Sequence, residues 1–173
     1  MAKLHSLGYV GVTKPALETW VPLAEDILGL EAYPQSDGSL RVRWDDRAFR
    51  LQLFPGEEDR LAFIGWELRD ERELLDFAAH LESRGSAVEP STEAERLERG
   101  VQYLFRASDP FGLPLEFFSG QAYLDRTFRG GRATSGFITG AQGAGHLVLA
   151  VPSLEEAYAF YRDVLGFRVT DGV

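Results

Sequence analysis

The histidines of this chain are its best candidates for binding a metal ion, because the sequence contains no cysteine. Thiolate zinc sites and disulfides are thereby excluded, and a metal would need His, Asp, Glu or backbone oxygen as ligands. His146 stands in the run Gly145-His146-Leu147-Val148, whose apolar and β-branched composition is typical of a strand. Its imidazole is a candidate ligand, although a lone histidine at the start of a strand is more often structural.

The remaining candidate ligands lie in less suitable settings. His5 precedes the first predicted strand and His80 lies off the apolar stripe of its predicted helix, so we expect both to face solvent. Glu116 lies in a predicted strand, where a carboxylate is either a ligand or a structural group. The acidic run from Glu93 to Glu98 is interpreted as a solvated loop, not as paired catalytic carboxylates.

A strand followed by an amphipathic helix recurs along the chain and would position these residues. The run from Gly145 to Leu149 aligns with the run from Gly8 to Val12, and the same apolar spacing follows each run. Ser153 provides an N-cap for the later helix. In the earlier copy, Pro22 is expected to kink the helix or shift its start.

A weaker copy begins near Leu61, with a strand from Ala62 to Leu68 and a helix that is capped at Asp70 and closed by Gly85. Further strands are predicted after the first two helices, over residues 40–44, 49–54, 101–106 and 113–118. Each unit is therefore a β-α-β-β-β module, and the fold class is α+β. Such modules stack because none of them buries its apolar face alone.

The modules imply a division of the chain. Residues 1–60 and 61–120 form two complete modules of one domain, and residues 121–140 are a linker whose arginines, Arg126, Arg129 and Arg132, we expect to be solvated. Residues 141–173 start a further domain, which is truncated after one strand and one helix. Without its sheet, this segment must dock on the first domain or on another chain, or be poorly ordered.

Charge and composition restrict the partners. A net charge of -9 leaves no broad basic surface, so nucleic acid is excluded as a partner. No stretch approaches the length of a membrane span, and the N-terminal sequence lacks the features of a secretory leader. We therefore expect a cytoplasmic protein with no membrane partner.

Several motifs, taken in order, carry a resemblance to a known family. They are Ser6-Leu7-Gly8-Tyr9, Asp45-Asp46-Arg47-Ala48-Phe49-Arg50, Asp109-Pro110-Phe111-Gly112-Leu113-Pro114-Leu115-Glu116, Ser135-Gly136-Phe137-Ile138-Thr139-Gly140 and Gly145-His146-Leu147-Val148. Tandem modules with the D-P-x-G-x-x-x-E stretch resemble the vicinal oxygen chelate (glyoxalase/bleomycin resistance/dioxygenase) superfamily. Together the motifs resemble the N-terminal portion of the type I extradiol dioxygenases that act on 2,3-dihydroxybiphenyl and related bicyclic catechols.

The resemblance implies an Fe(II) site made of two His and one Glu, in the C-terminal domain of such an enzyme. His146 would be the first ligand, and Val148, on the same face of the strand, would line the substrate pocket. The second His, the Glu and any catalytic acid or base would lie beyond this chain. Tyr9 and Phe63 hold the equivalent positions of the earlier modules, so the first domain is predicted to be metal-free and Glu116 to be structural.

The implied function is Fe(II)-dependent, O2-consuming extradiol cleavage of a catechol in the breakdown of aromatic compounds, by a homo-oligomer. Two imidazoles and one carboxylate leave positions on the ferrous ion open for both catechol oxygens and for dioxygen. The chain alone is expected to be inactive, because it supplies one ligand. The alternatives are a non-catalytic module of the same superfamily that binds small molecules, a non-catalytic remnant that serves assembly contacts, and a different metal enzyme such as an isomerase or a glutathione-dependent enzyme.

Overall fold

A computed structural model describes residues 3–170 of the chain, and its centre is one mixed sheet of eight strands in the order β2-β3-β4-β1-β5-β8-β7-β6. The strands are β1 (Ser6–Lys14), β2 (Glu31–Pro34), β3 (Leu40–Arg43), β4 (Leu51–Pro55), β5 (Arg60–Glu67), β6 (Glu89–Pro90), β7 (Tyr103–Ser108) and β8 (Pro114–Ser119). The α-helices are α1 (Trp20–Pro22), α2 (Glu71–Ser83), α3 (Glu93–Arg99) and α4 (Leu154–Tyr161).

The two halves of the sheet have the same topology. β1 pairs with β4 in parallel, β5 pairs with β8 in parallel, and the antiparallel pair of β1 and β5 joins the halves at the centre. The outer strands of each half follow the same order. This arrangement confirms the tandem β-α-β-β-β modules and the α+β class.

Alternation along the central strands, together with a register shift between Leu7 and Tyr9, sends side chains to opposite faces of the sheet. On one face, Leu7 and Ile64 pack against helices α2 and α4. On the other face, Tyr9 and Phe63 join a cluster of mainly aromatic side chains. Gly65 makes room for the Tyr9 ring, because a Cβ at that position would lie 2.3 Å from a ring carbon.

The helix ends follow the predicted signals. Asp70 caps α2 by accepting a hydrogen bond from the Glu73 amide at 2.8 Å, and Gly85 follows that helix with a φ of 85°. Ser153 caps α4. Around Pro22 the helix is irregular as expected, since α1 is flanked by a 3-10 turn (Leu17–Thr19) and a π-helical turn (Leu23–Ile27).

Two expectations about secondary structure were wrong. Glu93 to Glu98 is not a loop but part of α3, which has a complete capping box between Thr92 and Glu95. Residues 145–150 have no strand pairing, although a strand was predicted there. Arg126 is exposed, as expected, and it also forms an ion pair with Glu31.

The first part of the predicted linker contacts the first module, whereas its later part is exposed. Its first part is held on the first module, where Leu124 donates to the Asp46 carbonyl at 3.0 Å and the Phe128 amide donates to the Asp46 carboxylate at 2.7 Å. Residues 133–142 are mostly exposed. The predicted C-terminal segment then docks on the first domain, although its last residues, 171–173, lie outside the described part of the chain. None of the helices within residues 3–170 has the length and apolar character needed to cross a membrane.

Candidate functional site

The interior of the first domain holds a buried cluster of Tyr9, Arg99 and Glu116. Tyr9 comes from β1, Glu116 from β8 and Arg99 from the last turn of α3. The Tyr9 hydroxyl donates to Glu116 Oε2 at 2.8 Å, and Arg99 Nε donates to both carboxylate oxygens at 3.0 and 3.1 Å. The Arg99 guanidinium also lies 3.9 Å from the centre of the Phe63 ring, in cation–π geometry.

Tyr9 and Arg99 have fixed protonation states at neutral pH. Burial raises the pKa of Tyr9 well above its ordinary value, and the neighbouring Glu116 charge raises it further. Burial lowers the pKa of Arg99, but the charge and hydrogen bond of Glu116 outweigh that effect, so the pKa of Arg99 is raised overall. Tyr9 is therefore a neutral donor and Arg99 a permanent cation.

The residues of this cluster do not fit a metal ion. Both oxygens of Glu116 already accept hydrogen bonds, and a neutral phenol and an aromatic ring stand at the positions equivalent to His146. The assignment of Glu116 as a structural residue agrees with these contacts. No group of three or more His, Cys, Asp or Glu side chains within residues 3–170 is arranged to hold a metal.

The predicted site residues of the third module lie elsewhere, at the surface. His146 is exposed, and Val148 is 83% exposed. Val148 lines an open cleft of about 800 Å³ between residues 148–151 and the turn that joins β7 to β8. The described residues therefore present one imidazole donor at this place, and one imidazole alone cannot form an iron site.

The other histidines differ from each other. His5 is exposed, as predicted. His80 is half-buried, and its Nε2 lies 2.9 Å from the Val164 carbonyl oxygen, so the expectation that it faces solvent was wrong. The docked C-terminal segment covers it, and this contact between distant parts of the chain leaves no local signal in the sequence.

Sequence reasoning also missed the residues that fix the C-terminal segment and the linker. Asp109 accepts a hydrogen bond from the Tyr161 hydroxyl at 3.0 Å, and Arg47 donates to the Gln121 carbonyl at 2.7 Å and to Glu67 at 2.8 Å. Asp109 and Arg47 stood in the motifs that carried the resemblance. Their presence in those motifs could have marked them as important. Their partners lie far away along the chain, so the sequence did not indicate which contacts they make.

Family models match both ends of the chain. Residues 7–56 match the family described as dihydroxybiphenyl dioxygenase BphC D1, and residues 143–173 match the glyoxalase/bleomycin resistance protein/dioxygenase superfamily. The biphenyl-2,3-diol 1,2-dioxygenase of Paraburkholderia xenovorans is 40% identical over 169 residues, which cover 97% of this chain and 57% of that protein. The iron-dependent extradiol dioxygenase of Rhodococcus jostii is 36% identical over 98% of this chain and 57% of its own length.

A solved structure gives the same result. The crystal structure of BphC, a halotolerant catechol dioxygenase, superposes with a TM-score of 0.91 at 36% identity, over 96% of this chain and 56% of that one. The chain has the fold of the vicinal oxygen chelate superfamily, whose family model matches its residues 143–173. The chain is similar over nearly its whole length to the N-terminal portion of biphenyl-2,3-diol dioxygenases, and it spans about 57% of the length of these relatives.

Proposed function

We propose that the chain is the N-terminal portion of an extradiol dioxygenase that cleaves 2,3-dihydroxybiphenyl-like catechols with Fe(II) and O2. The observation that carries the proposal is the 40% identity to a biphenyl-2,3-diol 1,2-dioxygenase over 97% of this chain. In this proposal the enzyme is cytoplasmic and homo-oligomeric. The chain covers 57% of that relative, so it contributes only part of the catalytic machinery.

Within the proposed enzyme, His146 supplies one of three iron ligands and Val148 lines the catechol pocket. Their positions support these roles, because both side chains are exposed and Val148 borders a cleft.

The proposal divides the chain into a metal-free domain (1–120), a linker (121–140) and the start of the catalytic domain (141–173). The engagement of Glu116 by Tyr9 and Arg99 supports a metal-free first domain.

The first test is the coding sequence downstream of Val173. The proposal expects a fourth module there, with a His near its start and a Glu near its end. A stop codon directly after Val173 would refute this chain as part of an active dioxygenase.

The second test is catalysis by the protein from the complete reading frame. Loaded with Fe(II), it is expected to consume O2 and convert 2,3-dihydroxybiphenyl to a yellow ring-opened product. His146→Ala is expected to abolish this activity, while His5→Ala, at an exposed histidine, leaves it unchanged. Full activity of the His146 variant would disprove its role as a ligand, and catechol binding without O2 uptake would favour the non-catalytic binding module.

A further inference from the structure

The C-terminal segment, residues 143–170, is attached to the first domain by hydrogen bonds at separate points. The Ala144 amide donates to the Leu7 carbonyl at 2.7 Å, near the start of the segment. His80 contacts the Val164 carbonyl near its end. Between these points, Tyr161 of α4 donates to Asp109.

The Asp109 carboxylate is held rigidly by its own turn. It is 6% exposed, and its Oδ1 accepts from the amides of Phe111 and Leu113 at 2.9 and 2.8 Å. These bonds fix the direction in which Oδ2 points, and Oδ2 accepts from Tyr161. The contact is therefore directional and tied to the sheet through the turn between β7 and β8.

Tyr161 keeps its proton for this contact. Burial raises the pKa of Tyr161 well above its ordinary value, and the Asp109 charge raises it further. The phenol therefore remains a donor to a carboxylate throughout the neutral range, and such charge-assisted bonds are among the strong ones in proteins.

Tyr161 also borders the same recess as the run that carries His146. Leu147, Leu149 and Val151 line one apolar recess together with Tyr161 and Trp66. The residues that line this recess are interleaved with His146 and Val148, and Val148 instead lines the cleft beside the turn between β7 and β8. The exposure of His146 and Val148 agrees with this arrangement.

We propose that Asp109 and Tyr161 are positioning residues that set the orientation of residues 145–151, and through them of His146 and Val148. The pair fixes residues 145–151 relative to the first domain, although neither side chain would touch iron or catechol. This gives the metal-free first domain a task in the enzyme. The inference rests on the proposed function for its catalytic meaning, but the contact itself can be tested without iron.

The test is hydrogen–deuterium exchange on the 173-residue chain, comparing the wild type with Tyr161→Phe. Loss of the hydroxyl is expected to speed exchange of the Ala144 and Gly145 amides, which donate to the Leu7 and Gln142 carbonyls, about tenfold. Amides of β5 should keep their wild-type rates, because a local anchor has been removed and the sheet is intact. Tyr158→Phe is the matched control, since it removes a half-buried hydroxyl from the same helix, and it should leave both sets of rates unchanged.

Unchanged exchange of the Ala144 and Gly145 amides in Tyr161→Phe would overturn the inference. Faster exchange throughout β5 as well would also overturn it, because it would show general destabilisation and no local positioning. In the protein from the complete reading frame, Tyr161→Phe should lower kcat more than it raises KM, with Tyr158→Phe again unchanged. Failure of the exchange test leaves the proposed function standing, whereas an inactive wild-type enzyme refutes that function and leaves the exchange result valid.

Discussion

Arg99 places a positive charge inside the first domain, against both a carboxylate and an aromatic ring. Its side chain is 12% exposed and that of Glu116 is 5% exposed, so the Glu116 charge depends on Arg99 for compensation, whereas Arg99 also pairs with Glu98. Arg99→Met keeps a similar shape but leaves the carboxylate unpaired. We expect a loss of about 3 kcal/mol in the free energy of unfolding, measured with urea.

The double variant Arg99→Met/Glu116→Gln separates the charge from the packing. Since it removes both charges, it should recover most of the stability lost in the single variant. An equal loss in the single and double variants would show that Arg99 stabilises the domain by packing and not by pairing with Glu116.

Tyr9 makes the stability of the fold dependent on alkaline pH. Its pKa is raised in the folded state, first by burial and then by Glu116, so above about pH 10 the unfolded chain releases a proton that the folded chain retains. Stability is thus fully present below the unfolded pKa and falls as pH rises beyond it, by about 1.4 kcal/mol per pH unit for one such group.

Urea unfolding across about pH 9 to 11, the range around the ordinary tyrosine pKa, measures this slope. Tyr9→Phe should reduce the slope by the contribution of one proton, whereas Tyr123→Phe, at a side chain that is 64% exposed, should leave it unchanged. Identical slopes in the wild type and Tyr9→Phe would contradict the raised pKa.

For single residues, the sequence predicted that Tyr9 and Phe63 are not metal ligands, but it did not predict their contacts. The repeat showed that neither is a histidine, which argued against a metal in the first domain. It did not reveal that Arg99 lies over the Phe63 ring and donates to Glu116, which accepts from Tyr9, because these contacts join residues far apart along the chain.

The helix α3 could not be predicted from the spacing of apolar residues. Neither of its apolar residues is buried, and Leu97 is 74% exposed, so the apolar periodicity that revealed the other helices is missing. The available signal was the pair Thr92 and Glu95, whose capping box satisfies the amides at the start of the helix. The acidic run was interpreted as a solvated loop because the signals for a helix lie only at its two ends, at Thr92 and Gly100.

The cap should therefore carry much of the local stability of α3. Thr92→Ala removes the acceptor for the Glu95 amide, and we expect the free energy of unfolding to fall by about 1 kcal/mol. Thr127→Ala, at an exposed linker threonine, is the control and should change it little. Equal effects of the two substitutions, measured by urea unfolding, would show that the cap contributes nothing specific.

The missing strand at residues 145–150 has a different cause. Its composition is that of a strand, but a strand needs a paired neighbour to satisfy its backbone, and no strand of the described sheet pairs with it. The prediction from residue types was therefore wrong about the structure in this chain. Composition indicates which residues suit a strand, whereas pairing decides whether a strand forms.

For the whole molecule, the repeat predicted the sheet and its division into modules, and it required the C-terminal segment to dock or to lose order. The structure shows docking, through Phe160 and Leu165, which are 7% and 2% exposed in the same core as α2. The sequence did not predict which surface receives the segment, because the surface is built from β1, β5 and α2 together.

This shared core implies that the segment and the first domain unfold as one unit. Phe160→Ala should lower the free energy of unfolding by about 3 kcal/mol, because it leaves a cavity between α4 and the sheet. Leu154→Ala, on the same helix but 66% exposed, should change it by much less.

Far-ultraviolet circular dichroism and tryptophan fluorescence would both follow the transition. If the segment unfolds separately, the main transition keeps its midpoint in Phe160→Ala. A common shift in both signals would instead show that the first domain and the segment that bears His146 form one cooperative structure, as positioning of that residue by the first domain requires.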